Sequence, residues 1–386
     1  MSPNRSVAGM VVNLPEQAQR LSSAAAEACA VLAQRGYGKI DVPVIEPVEP
    51  FLLRSGEVVR RSMYVFEDPG GHEVCLRPEM TIPVIRAFAA HMTDRPRPLR
   101  LFYDGPVFRH RPAAAGRPRQ ERQVGAELIG AEDRLAADAE IISTAIAAID
   151  AIGCNDAVLA LSDFSLVGTL IDALDLPQHA CRRLINLLNH PAALQRAISD
   201  EEPQEPALPD ALAQLEREQG VQLVLKIISG MPLQQVGQRD PRRIAERFWD
   251  TQIVRSSFTL DNATRKLLRD VSSICGSPQQ ALRSLAKITA TFADEICQPL
   301  ERLERLIEMI DKAVGSGERL LLDFGLSRPF AYYSGMIFEL RRGERVIGGG
   351  GRYDPLVKMI DPRLDVDAVG FAVSLQGALA IDGEEG

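Results

Sequence analysis

The chain has 386 residues, of which 46% are hydrophobic and 25% charged, and its formal net charge at pH 7 is −8. These values are ordinary for a globular protein with a sizeable core. The acidic balance argues against a dedicated nucleic-acid-binding surface, because neutralising phosphates requires a basic one. The six cysteines form no CxxC pair, which favours reduced thiols over a disulfide framework or a metal site.

The sequence shows neither a membrane span nor a secretory signal. No apolar run approaches the roughly 20 residues that a spanning helix requires. The opening segment, MSPNRSVAGMVVNLPEQ, holds a short apolar patch without the longer apolar region of a signal peptide. We therefore expect a cytoplasmic protein with no membrane association.

The first predicted elements are a helix and a strand. Pro15 suits the first turn of a helix, and apolar residues then recur at helical spacing until Gly36. The run from Lys39 to Pro47 alternates apolar with polar or turn residues and predicts a strand, which Pro43 confines to a sheet edge or a strand end. The next predicted elements are a short strand at Val74 to Leu76 and a helix from Thr81 onward.

A long antiparallel hairpin is predicted next. Two β-rich runs, Leu99 to His110 and Arg122 to Ala131, are joined by RPAAAGRP, a loop dense in Pro, Ala and Gly. Glu132 and Asp133 then begin a helix with one apolar face, and Ala157 to Asp163 is again a strand.

The stretch from Phe164 to Ser316 is mainly helical, apart from an acidic, Pro-rich linker at Ser199 to Asp210. The last 70 residues return to β character. Strands before and after a helical block predict an α+β core over residues 1–386 that is interrupted by a helical insertion at 164–316.

Five segments, in this order, resemble the histidyl-tRNA synthetase family of class II aminoacyl-tRNA synthetases. The first resembles the family's dimer-forming helix–strand motif, the second its LRPE-x-T segment, the third the motif 2 hairpin, the fourth the histidine-specific block and the fifth motif 3. They are GYGKIDVPVIEP, CLRPEMT, Gly105 to Gly130, Arg328 to Leu340 with Gly348 to Val357, and AVGFAVSLQGAL. The resemblance implies an antiparallel sheet flanked by helices.

The resemblance also implies a histidine pocket built from six polar residues. In the family the first three hold the α-amino group, and the last three surround the imidazole. The matching positions here are Glu79, Thr81, Gln123, Glu127, Tyr332 and Tyr333. A carboxylate and phenols satisfy both ring nitrogens, which an apolar pocket does not. The alternative is that these side chains are relics paired within a core, although a buried Glu without a ligand is costly.

Two arginines match anion-binding positions of the family. Arg328 matches the histidine-specific arginine that contacts the carboxylate and the α-phosphate. Arg109 matches the motif 2 arginine that binds the α-phosphate, a task suited to a planar bidentate cation. Considered alone, Arg109 would be interpreted as a surface arginine of a hairpin.

Three departures from the family affect the nucleotide end of the site. Arg111 stands where the family has the Glu that recognises the adenine amino group, and an arginine offers no acceptor. Gly377 stands where the family has an Arg that stacks on adenine and meets the γ-phosphate. Ala331 replaces an Asp. We expect ATP activation to be severely weakened.

The chain ends soon after the fifth segment, with DGEEG. Synthetases of this family continue there into an α/β anticodon-binding domain, on the order of 100 residues. We therefore expect no C-terminal anticodon-binding domain and no charging of tRNA.

A synthetase-like chain with these properties resembles the family of regulatory subunits of ATP phosphoribosyltransferase. That resemblance implies a non-catalytic homodimer within a hetero-oligomer, without a cofactor or a metal. Its partner would be the short-form catalytic subunit, which it activates in the first step of histidine biosynthesis and through which histidine exerts feedback inhibition. Whether histidine binds in the pocket or at a subunit interface stays open.

Two alternatives remain. The first is a truncated histidyl-tRNA synthetase-like enzyme that activates histidine with ATP or transfers it to another carrier. The second is an RNA-associated scaffold, which the acidic balance disfavours.

Overall fold

The structure is a computed structural model of the chain. It describes residues 7, 9–53, 59–111, 118–187, 194, 215, 217–230, 241–242, 244–246, 248–249, 260–315, 319–326 and 332–381. The predicted linker at Ser199 to Asp210 lies outside these ranges. A bilayer-spanning helix is not among the helices that the structure describes.

The described chain contains both strands and helices. The strands are β1 (Gly38–Lys39), β2 (Ile45–Pro47), β3 (Tyr64–Glu67), β4 (Glu73–Leu76), β5 (Leu99–Phe108), β6 (Gln120–Ile129), β7 (Val158–Asp163), β8 (Cys275–Gly276), β9 (Leu320–Asp323), β10 (Met336–Arg342), β11 (Arg345–Arg352) and β12 (Ala368–Ser374). The helices are α1 (Pro15–Gln34), α2 (Glu49–Leu52), α3 (Thr81–His91), α4 (Arg134–Ala151), α5 (Phe164–Asp172), α6 (Gln178–Leu187), α7 (Arg217–Ser229), α8 (Asn262–Ser272), α9 (Pro278–Ile288), α10 (Ala293–Val314), α11 (Asp354–Ile360) and α12 (Leu375–Ala378).

Nine of these strands form one mixed sheet in the order β1-β5-β6-β12-β11-β10-β7-β9-β8. Its neighbours are antiparallel except for β1 with β5 and β7 with β9. The predicted hairpin is confirmed: β5 and β6 pair without a break from Leu99 opposite Ile129 to Phe108 opposite Gln120. A large sheet flanked by helices confirms the predicted α+β class.

The strand predicted at Lys39 to Pro47 is in fact two short strands in two different sheets. β1 joins the edge of the large sheet, whereas β2 pairs with β4 in a separate sheet of order β2-β4-β3. Pro43 lies between them and has no N–H to give to a continuous ladder. The buried guanidinium of Arg77 donates to the carbonyls of Val42 and Pro43 instead, and also to that of Pro106 in β5.

Helix α4 covers one face of the large sheet. It packs on β6 and β12, and α1 and α10 pack against it in turn. Asp133 caps its first turn by accepting from the N–H groups of Leu135 and Ala136, both at 3.0 Å. The buried face of α4 is mainly apolar, as the spacing predicts, but it also includes Asp138, Ser143 and Thr144.

Helices dominate the described residues between β7 and β9. These are α5 to α10, and the exception is the two-residue strand β8, which pairs with β9 at the edge of the large sheet. Helix α10 is the longest of them and packs against both α4 and α5.

Candidate functional site: an amino-acid-sized pocket

A cavity of about 210 Å³ opens where the start of α3 meets the β5–β6 hairpin and the middle strands of the large sheet. Six of the eight predicted site residues line it: Glu79, Thr81, Arg109, Gln123, Tyr332 and Tyr333. Their positions in the chain span more than 250 residues, so only the fold brings them together. The glycines Gly348, Gly349 and Gly370 form part of its wall.

Glu79 forms an acidic part of this wall, just before α3. Its carboxylate accepts from the N–H groups of Thr81 at 2.9 Å and Ile82 at 2.8 Å, so it occupies the positive end of the helix. Burial raises the pKa of Glu79, although these N–H groups and the charge of Arg109 favour the ionised form. A cationic ligand would also favour the ionised form of Glu79.

Gln123 provides an unused acceptor. Its side chain projects from β6 and is 6% exposed. The Oε1 atom is buried and receives no hydrogen bond from the described part of the chain. Since a buried acceptor without a donor costs free energy, this atom is suited to a ligand that donates.

Glu127 lies behind the cavity and is fully buried. Three hydroxyl groups donate to its carboxylate: Thr81 at 2.8 Å, Tyr103 at 3.1 Å, and Tyr353. Burial raises the pKa of Glu127 to about 8, against the lowering effect of these hydroxyls. A Cβ on Gly370 would lie 1.6 Å from Glu127 Oε2, so that only a glycine fits between this carboxylate and the cavity.

The contacts of Tyr103 and Tyr353 with Glu127 were not predicted from the sequence. A partial signal existed for Tyr103, because the hairpin register places Leu101 opposite Glu127 and therefore puts Tyr103 diagonal to it. Tyr353 lies within the segment from Gly348 to Val357, but its hydroxyl reaches Glu127 only through the pairing of β11 with β12 and of β12 with β6.

The two predicted tyrosines form the aromatic side of the cavity. The ring centroids of Tyr332 and Tyr333 are 4.8 Å apart, and the Tyr332 hydroxyl lies 3.4 Å from Glu79 Oε2. A Cβ at Gly351 would lie 2.9 Å from the Tyr333 ring, so this strand must lack a side chain there. Arg328 and Ala331, just before these tyrosines, lie outside the described residues.

Arg109 stands at the mouth of the cavity. Its Nε donates to the carbonyl of Pro78 at 2.7 Å, which orients the guanidinium, and Nη1 is 4.0 Å from Glu121 Oε2. Arg111 lies beside it and makes a bidentate ion pair with the same carboxylate, at 3.1 and 3.2 Å. Both arginines and Glu121 line the cavity.

Gly377, a second of the three departures from the family, leaves room for a side chain. A Cβ there would find its nearest neighbours at 3.5 Å or more. Next to it, Gln376 accepts from the N–H of Arg122 at 2.8 Å and ties α12 to β6. The side chain at position 376 thus has a structural contact, and position 377 supplies no charge.

This arrangement suits a small zwitterion. Acceptors on Glu79 and Gln123 suit an ammonium group, and the guanidinium of Arg109 at the mouth suits a carboxylate.

The chain matches known proteins over most of its length. The family model described as histidyl-tRNA synthetase matches residues 9–240 and 250–378. Proteins of Brucella ovis and Brucella abortus, both named ATP phosphoribosyltransferase regulatory subunit, are 30% identical to the chain over 359 residues, which is 90% of this chain and 93% of theirs.

Solved structures show the same fold. An ATP phosphoribosyltransferase regulatory subunit/histidyl-tRNA synthetase from Bacillus halodurans superposes with a TM-score of 0.70 at 21% identity, covering 99% of this chain and 84% of that one. A histidyl-tRNA synthetase from Nostoc superposes with a TM-score of 0.66 at 17% identity, covering 99% and 75%. The predicted class II synthetase-like fold is confirmed, and the chain belongs to the family of ATP phosphoribosyltransferase regulatory subunits, within the larger histidyl-tRNA synthetase family.

Proposed function

We propose that the chain is a non-catalytic regulatory subunit that assembles with the short-form catalytic subunit of ATP phosphoribosyltransferase. In that assembly it activates the catalytic chain and binds histidine, the end product of the pathway, in the cavity beside Glu79 and Gln123. A ligand that binds one state of an assembly more tightly shifts the assembly toward that state, and substrate binding responds reciprocally. Feedback inhibition follows if histidine favours the less active state.

One observation carries this proposal. In the amino-acid half of the pocket, Gln123 Oε1 has no donor from the part of the chain that the structure describes, while at the other end Arg111 forms an ion pair with Glu121. In the synthetase family, position 111 holds the acceptor for adenine, and here that acceptor is replaced by a cation that already has a partner. The remaining polar groups suit an amino acid better than a nucleotide.

The first experiment tests the assembly. The full chain and a short-form catalytic subunit are mixed, resolved by size-exclusion chromatography, and assayed for phosphoribosyl transfer from phosphoribosyl pyrophosphate to ATP. We expect a joint peak and a rise in activity that histidine reverses. If the two chains elute separately and the activity is unchanged, the assignment is wrong.

The second experiment addresses the catalytic alternative. The purified chain is incubated with histidine, ATP and labelled pyrophosphate, beside an active histidyl-tRNA synthetase as a positive control. The ion pair at Arg111 and the missing side chain at Gly377 predict no histidine-dependent exchange above background. Robust exchange would support an activating enzyme in place of a regulatory chain.

The third experiment locates the histidine. Replacing Gln123 with Leu removes an acceptor that has no donor among the described residues, so the melting temperature of the free protein should not fall. The histidine Kd, measured by calorimetry, should rise about 10- to 100-fold if the ammonium group binds there. An unchanged Kd would place histidine elsewhere.

A further inference from the structure

A buried carboxylate outside the cavity connects the pocket to helix α10. Asp138 projects from α4, and its side chain has no exposed surface. Within the described chain, its two oxygens meet two different arginines. Oδ1 accepts from Nε and Nη2 of Arg352, at 2.9 and 2.5 Å, and Oδ2 accepts from Nη2 of Arg302 at 2.8 Å.

The Arg352 side of this bridge fixes the end of β11. The Arg352 side chain is 1% exposed, and its remaining donors reach Asp354 Oδ1 at 3.0 Å and the carbonyl of Arg134 at 2.9 Å. Asp354 also accepts the N–H of Ala368 at 2.9 Å, which holds the start of β12 beside it. Each of the three guanidinium nitrogens of Arg352 therefore donates a hydrogen bond.

The chain on both sides of Arg352 contributes to the pocket. The next residue, Tyr353, donates its hydroxyl to Glu127. The Arg352 carbonyl accepts the N–H of Ser334 at 2.9 Å, and Ser334 directly follows Tyr332 and Tyr333. A displacement of Arg352 would therefore move the donor to Glu127 and the aromatic wall together.

The Arg302 side of the bridge belongs to α10. This helix lies in the helical stretch between β7 and β9, and Arg302 is 29% exposed. Because Arg302 is the second cation at a carboxylate with no exposed surface, its removal would leave Oδ2 without a donor. A buried carboxylate that loses one of its partners recruits a replacement or a proton, and its other partners must adjust.

We propose that Arg302 is a positioning residue of the pocket, which sets the position of Arg352, Tyr353 and the tyrosine pair through Asp138. The pocket and α10 then share one carboxylate, so that ligand binding and a displacement of α10 influence each other. Burial raises the pKa of Asp138, and the two guanidinium groups oppose that rise. With histidine as the ligand, this inference rests on the proposed function.

The test uses the full chain with three substitutions. Arg302→Met removes the cation but keeps a side chain of similar length, and Arg302→Lys restores a charge. The matched control is Arg319→Met. Arg319 is 26% exposed and pairs with Asp150 on the same helix α4, at 2.8 Å, but this pair touches neither Arg352 nor the cavity.

Three quantities are measured for each variant: the melting temperature, the histidine Kd, and hydrogen–deuterium exchange of the peptides covering residues 332–336 and 345–354. For Arg302→Met we expect a Kd about 3- to 30-fold higher and faster exchange in both peptides, with partial recovery in Arg302→Lys. Arg319→Met should lower the melting temperature without changing the other two readouts.

Unchanged exchange in both peptides of Arg302→Met would overturn the inference, whatever the melting temperature. Equal changes in Arg302→Met and Arg319→Met would also overturn it, because the effect would then be general destabilisation. If the unaltered protein binds no histidine, the proposed function fails instead, and the exchange data still decide whether Arg302 positions the pocket.

Discussion

Arg111 and Glu121 form a bidentate ion pair at the loop end of the β5–β6 hairpin, where the side chain of Glu121 is only 8% exposed. The fold of the hairpin brings the two side chains together, because Arg111 lies three residues after the end of β5 and Glu121 is the second residue of β6. It holds a charged contact at the cavity mouth, next to Arg109.

Removing the cation of this pair should destabilise the protein. We expect Arg111→Ala to lower the free energy of unfolding by about 1–3 kcal/mol, since Glu121 is left largely buried without its bidentate partner. Lys358→Ala is the control, because the Lys358–Asp365 pair is 62% and 93% exposed and should contribute almost nothing. Urea unfolding of the two variants measures the difference. Equal losses would contradict the role given to the buried pair.

The raised pKa of Glu127 predicts a pH-dependent stability. The folded protein keeps a proton on Glu127 up to a pKa of about 8, whereas the unfolded chain releases it near the ordinary glutamate pKa of 4.5. The folded state therefore binds more protons between these values, and its stability falls as the pH rises through that window. Glu127→Gln carries no such proton.

Unfolding free energies of the unaltered protein and of Glu127→Gln should diverge between pH 5.5 and pH 8. The difference should change by roughly 2–3 kcal/mol in favour of the variant at the higher pH. Groups common to both proteins cancel in this comparison. A difference that does not depend on pH would mean that Glu127 is ionised throughout.

Gly370 should tolerate no side chain. A Cβ there would overlap Glu127 Oε2 and lie 2.8 Å from the carbonyl of Ala126, so Gly370→Ala should cost about 1–3 kcal/mol or more. Gly377→Ala is the matched control. Its Cβ meets nothing closer than 3.5 Å, and an alanine in a helix is favoured over a glycine by about 0.5–1 kcal/mol. Thermal melts should thus shift in opposite directions.

The isolated chain should sediment as a dimer. Ile45 on β2 and Phe66 on β3 are 52% and 40% exposed and lie on the same face of the small sheet, by its register. Exposed apolar side chains of this kind suit an interface. Phe66→Asp should shift the sedimentation coefficient toward the monomer at micromolar concentration, whereas Ile227→Asp, 50% exposed on α7, should not. A monomer before any substitution would remove this expectation.

Elements whose signal is local were predictable from the sequence. The ends of α1 follow from Pro15 and from Gly36, whose φ of +85° only a glycine adopts readily. The β5–β6 hairpin follows from alternating apolar residues around a Gly- and Pro-rich loop. In both cases the deciding residues lie within a few positions of the element.

Features that depend on distant partners were not predictable in the same way. The division of the strand at Pro43 depends on Arg77, which supplies donors to the two carbonyls there. The three hydroxyl groups that donate to Glu127 come from separate elements, and one of them belongs to Tyr353, which is 226 positions away in the chain. The resemblance named most of the pocket residues, but it gave no indication that Asp138 lies between Arg352 and Arg302.

Arg77 and Glu79 are separated by a single residue in CLRPEMT, yet they serve different purposes. Arg77 is 2% exposed and donates to the carbonyls of Val42, Pro43 and Pro106. These hydrogen bonds connect the two sheets. Glu79 faces the cavity. An arginine that a chain shares with an active synthetase at this position therefore indicates only that the two have the same fold. This holds even for a relative whose pocket no longer binds a ligand. When chains of this family are sorted into amino-acid binders and bare scaffolds, the evidence should be taken from the glutamate.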